Sequence, residues 1–105
     1  MPLKAAFMFI APDADPALHR AMVATPEVEV TTVAVCDYAA AELMAVELVA
    51  QGLVAIELCA GFGAEGLARV KRAVNGQAVV GAVRFDCHPG LGFRSGDELF
   101  QSATS

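Results

Sequence analysis

Four short apolar runs, each too short for a buried helix and each separated from the next by a helix-length interval, constrain this chain more than any other feature. They are residues 4–10 (KAAFMFI), 28–35 (VEVTTVAV), 54–58 (VAIEL) and 78–85 (AVVGAVRF). At this length, with β-branched side chains concentrated in the second run, they read as strands covered on both faces. Between them, Asp15 as N-cap, Pro16 at the first helical position and Pro26 as a stop predict a helix over 16–24. Asp37 caps a second helix over 38–51, with Gly52 just past its end. The segment Cys59-Ala60-Gly61-Phe62-Gly63 turns into a third over 64–74, which Asn75-Gly76 ends.

The order is (βα)₃β with connections of crossover length. It predicts a single α/β domain over 1–105, three-layer or half-barrel-like, around a mainly parallel four-stranded sheet. Its 105 residues suffice for one core and not for two. Residues 95–105 read as an irregular polar tail whose apolar pair, Leu99-Phe100, packs on the domain or on a neighbouring subunit.

Composition bounds the partners. With 7 Lys plus Arg against 12 Asp plus Glu, and a net charge of -5, no basic stripe is available for a phosphate backbone, so nucleic acid is not an expected partner. Glu42, Glu47, Gln51 and Glu57 interrupt the longest apolar stretch before the ~18 residues a spanning helix needs, so no membrane contact is expected. The start shows no signal-peptide pattern, and Cys36, Cys59 and Cys87 are too few and too scattered for a disulfide framework. The expectation is a cytoplasmic protein with reduced thiols.

A hydrophobic fraction of 56% and a mean hydropathy of +0.54 leave few polar residues to cover the surface, which points to a homo-oligomer. The helix over 38–51 makes the point locally. Its only charges, Glu42 and Glu47, lie roughly 140° apart around the axis, so no wide solvent face remains. It is the expected contact surface, with Leu99-Phe100 beside it; the bland alternative is an alanine-rich helix with an exposed, unpolar face.

A parallel sheet gathers its strand carboxyl ends on one edge, where open α/β folds bind ligands. That edge collects the three cysteines with Asp13, Asp37, Glu57, Asp86 and His88. Cys87 or Cys59 is the candidate nucleophile and His88 the candidate base, since a thiolate needs a base or a helix N-terminus to form near neutrality. For His88 to reach Cys59, the third and fourth strands must be neighbours. Cys36 reads as a core residue.

Two thiols and an imidazole are a possible zinc set, but the nearest cysteines are 23 residues apart, unlike the close pairs of structural zinc sites. No metal site is therefore assigned, and the cofactor stays open. Gly61, Gly63 and Gly66 match G-x-G-x-x-G, with Asp86 twenty residues beyond Gly66. The match lies on the third strand with only 19 residues after Asp86, and Glu65 would oppose a pyrophosphate. The amides of 61–66 suit a smaller anion or polar ligand, or else a tight turn and close helix packing. Arg84 pairs structurally with Asp86 or anchors a substrate carboxylate. The candidate ligand-binding set is thus Glu57, Gly61, Gly63, Arg84 and Asp86.

The stretches AIELCAGFGAEGLARV (55–70) and VRFDCHPGLGFRSGDELF (83–100) resemble a small family of bacterial proteins described as a domain of unknown function, over almost the whole chain. The resemblance implies a short stand-alone protein and carries no catalytic residue across. It also implies that residues 86–90 and 95–98 belong to the domain. The expected function is binding or transformation of a small polar ligand at the carboxyl ends of the third and fourth strands; the alternatives are a non-catalytic oligomerising module and a Cys/His metal-binding protein.

Overall fold

In the computed structural model, which describes residues 1–85 and 87–101, all four expected strands are present, and a fifth joins them. In chain order they are β1 (Leu3–Ile10), β2 (Arg20–Ala24), β3 (Val28–Val35), β4 (Ala55–Leu58) and β5 (Val79–Ala82). Three helices follow the second half of the pattern: α1 (Tyr38–Ala50), α2 (Ala64–Val74) and α3 (Gly96–Phe100). The spatial order is β2-β3-β1-β4-β5, with every neighbouring pair parallel except β2 and β3. The sheet is therefore mixed and five-stranded, not four-stranded.

The departure lies at 16–24. Asp15 does act as a cap, its Oδ1 accepting from Ala17 N–H, and one turn closes as His19 N–H donates to the Asp15 carbonyl at 2.7 Å. There the turn stops. A segment this short is marginal as a helix without an apolar face to bury, whereas the free edge of β3 offers Arg20–Ala24 a ladder, and β2 takes it antiparallel. Thr25 and Val28 close the hairpin between them.

The other elements form where their signals stand. Asp37 Oδ1 caps α1 through Ala40 N–H. At the far end Gly52, at φ +96°, lets Leu53 N–H reach the Leu48 carbonyl and its own N–H reach Val49, a Schellman closure that a side chain would strain. Asn75 and Gly76, both left-handed, end α2.

Both long helices lie on the same face of the sheet. Ala6, Met8 and Ile10 of β1, Val33 and Val35 of β3, and Ile56 and Leu58 of β4 form one buried cluster with Tyr38, Ala41, Ala45 and Leu48 of α1 and Val70 and Val74 of α2. The helices are joined across their contact by a two-pronged ion pair, Arg69 Nε to Glu42 Oε2 at 2.8 Å and Arg69 Nη2 to Glu42 Oε1 at 3.2 Å. The architecture has two layers, not three. Alternation along the strands turns Leu3, Ala5, Phe7 and Phe9 of β1, Val28, Val30, Thr32 and Ala34 of β3, and Ala55 and Glu57 of β4 to the opposite face, where no helix packs among the described residues.

Residues 95–101 are not a loose tail. Ser95 and Glu98 form a capping box, and Phe100, 8% exposed, packs beside Tyr38, which is itself stacked on Phe62 at 5.6 Å between ring centroids. The S-x-x-E spacing carries this signal in the sequence.

Candidate functional site

The carboxyl edge of the sheet is built from the loops after β1, β3, β4 and β5 together with α3. At its centre lies the glycine-rich turn into α2, and that turn already holds an anion, the carboxylate of Asp97. Asp97 Oδ2 accepts from Glu65 N–H at 3.1 Å, and Oδ1 from Gly66 N–H at 3.2 Å and from the Tyr38 hydroxyl at 2.7 Å. The Tyr38 oxygen in turn accepts from Gly63 N–H at 2.9 Å. A side chain at Gly63 would collide with Asp97, one at Gly66 with the Tyr38 ring, and one at Gly96 with the Gly61 carbonyl. The glycine spacing is thus satisfied by close packing of α3 on α2, and five of the amides of 61–66, those of Gly61, Phe62, Gly63, Glu65 and Gly66, are spent internally and not on an external anion.

Burial, and then the hydrogen bond to Asp97, push the Tyr38 phenol well above its ordinary range; the Gly63 N–H pulls more weakly the other way.

β4 and β5 are neighbours, so the condition set for Cys59 and His88 is met. Their side chains nonetheless have separate partners. Cys59 Sγ accepts from Gly61 N–H at 3.3 Å. His88 caps the 3₁₀ turn Pro89–Leu91, with Nδ1 accepting from Gly90 N–H at 2.9 Å and its ring against Phe85. With Nδ1 occupied as acceptor, the neutral ring carries its proton on Nε2 and faces outward as a donor. Cys87 is exposed. Glu57 lies on the helix-free face, away from the turn. Arg84 Nη1 donates to the Phe62 carbonyl at 2.7 Å and so ties β5's exit to the glycine turn. Asp86 lies outside the described residues.

A cavity of about 710 Å³ opens at this edge beside the exits of β1 and β3, not β4. It is lined by Pro12, Cys36 and Asp37 from the β1 and β3 exits, by Gly90, Leu91, Gly92 and Arg94 from the loop after β5, and by Leu99 and Phe100 of α3. Here the chain leaving β1 runs out to the edge hairpin while the chain leaving β3 enters α1 and crosses to β4, the kind of divergence at which open α/β sheets bind ligands. The loop that supplies Gly90–Gly92 and Arg94 is tight: His88 and Arg94 form a bridge, and Phe93 N–H donates to the His88 carbonyl. Phe93 sits at φ +60° and is 71% exposed. Arg94 makes no side-chain hydrogen bond or ion pair with any described residue.

The turn, Asp97 and the 88–94 loop all fall inside one family match. The chain belongs to DUF6506, a family of unknown function. The match covers residues 3–98 and so takes in all five strands of the DUF6506 domain, together with Asp97. No curated protein and no solved structure matches the chain. Among the described residues of this DUF6506 chain no three His, Cys, Asp or Glu side chains converge as a metal site would require, and no helix is long and apolar enough to cross a membrane.

Tyr38, Asp97 and Arg94 carry no site role in the sequence pattern, and Cys36, which that pattern puts at the edge as a core residue, lines the cavity half-buried. The capping box at 95–98 marks Asp97 as helical; nothing in the sequence places Arg94 at one cavity with Asp37.

Proposed function

We propose that this DUF6506 protein binds a small molecule with an apolar body and one anionic group in the cavity between the β1 and β3 exits and the 88–94 loop. The observation that carries the reading is Arg94, a guanidinium without a side-chain partner among the described residues, lining a cavity together with the apolar Leu91, Leu99 and Phe100. The volume falls within the ~300–1,000 Å³ range of small-molecule sites, and a guanidinium fork suits a carboxylate or phosphate. Asp37 in the same lining favours a ligand that also carries a hydrogen-bond donor, since its Oδ1 is already the α1 cap and its Oδ2 is the atom left to accept. The site is moved from the β4 and β5 ends to the β1 and β3 ends of the same edge.

The test is a titration of labelled protein with phenylacetate, octanoate and phenyl phosphate, followed by amide chemical shifts. Shifts gathered at Cys36, Leu91, Gly92 and Arg94, with binding weakened about tenfold by Arg94→Ala, a loss of about 1.4 kcal/mol, are expected. Shifts scattered elsewhere, or binding indifferent to Arg94→Ala, would refute the assignment.

A further inference from the structure

The face of the sheet opposite the helices carries no helix among the described residues, only the 11–19 connection bordering Phe9, Thr32 and Ala34 at one end, although its side chains are almost all apolar. On the edge strands Val23 and Val79 are 68% and 71% exposed. Only two residues break its apolar character, Glu57 on β4 and Thr32 on β3. In register they flank the same residue of the central strand: Phe7 pairs with Thr32 on one side and with Glu57 on the other.

We infer that a second copy of this chain covers this face, the two sheets packing face to face about a two-fold axis that runs along β1 at Phe7. Rotation about that axis sets β4 of each copy over β3 of the other at the same level. Each Glu57 then meets a Thr32 hydroxyl, which makes no hydrogen bond to a described residue of its own chain. A carboxylate in an apolar interface is costly unless it finds a donor, and this arrangement supplies one to both copies. A two-fold axis across the strands at the same level would instead bring the two carboxylates together.

The area is adequate. Five strands about 4.8 Å apart, the central two eight residues long at about 3.3 Å per residue, present roughly 500 Å² in projection, and interdigitated side chains bury more than the projection. Two such faces project about 1,000 Å² together, at the threshold of specific interfaces. A lipid surface fits less well, because the net charge of -5 repels the anionic leaflets that hold peripheral proteins.

Sedimentation at micromolar concentration tests the inference on the intact chain. The expected mass is twice 10.9 kDa. Val23→Lys and Val79→Lys, both at exposed positions and checked for an unchanged circular-dichroism spectrum, each weaken the dimer at least about tenfold. Leu43→Lys on the exposed side of α1 leaves it intact. Thr32→Glu dissociates the dimer, and adding Glu57→Lys restores it. A monomeric wild type overturns the inference, whether or not it binds phosphatidylcholine vesicles. So does a dimer lost only in Leu43→Lys, or failure of the charge-swap rescue.

Discussion

The Tyr38 hydroxyl donates to the Asp97 carboxylate at 2.7 Å, joining the first residue of α1 to α3 across 59 positions of sequence. The same oxygen accepts from Gly63 N–H. Tyr38→Phe keeps the ring stacked on Phe62 but leaves a buried N–H without its acceptor. We expect a loss of about 1–3 kcal/mol in urea unfolding, with little change in the slope of the transition.

Tyr38 is the only tyrosine in the chain, so its titration can be read without interference. Its folded pKa is raised, whereas in the unfolded chain it ionises near 10. A raised pKa gives stability that is complete below about pH 10 and declines as the pH rises beyond it. Tyrosinate absorbance should therefore appear only together with loss of the folded circular-dichroism signal. Tyrosinate formed while the fold persists would contradict the geometry around Asp97.

Asp97→Ala opens the N-terminus of α2 and strands the Glu65 and Gly66 amides. The expected cost is again about 1–3 kcal/mol. Acetate, the missing carboxylate in soluble form, should raise the thermal midpoint of the variant and leave that of the wild type unchanged.

Gly96→Ala puts a methyl group onto the Gly61 carbonyl, a backbone atom held by the turn into α2. Overpacking of this kind costs about 1–3 kcal/mol or more, and here α3 must lift for relief. Hydrogen exchange should show faster exchange at Glu65 and Gly66 before any change in β1 and β3.

The strands and the second and third expected helices were legible because each is short, bounded by caps or glycines, and apolar where it enters the core. The 16–24 segment was not. Its cap and proline signals are real and build one turn, but the fate of the next five residues depended on a vacant edge of β3, which no local pattern records. The glycine spacing at 61–66 was ambiguous for a related reason. A turn shaped for an anion looks the same in sequence whether the anion arrives from solution or from residue 97. The cavity was hidden because it joins residues 12, 36–37 and 90–100, brought together only by strand order.

Asp97 and Phe100, which finish the α2 terminus and the aromatic stack, are also among the last residues a ribosome would deliver of this domain. Until they emerge, the central strand can pair with β3 and β4 while the seam between the helices stays unsealed. Completion of this fold thus waits on residues 97–100, and a nascent chain stalled before Gly96 would present α2 with its first amides bare.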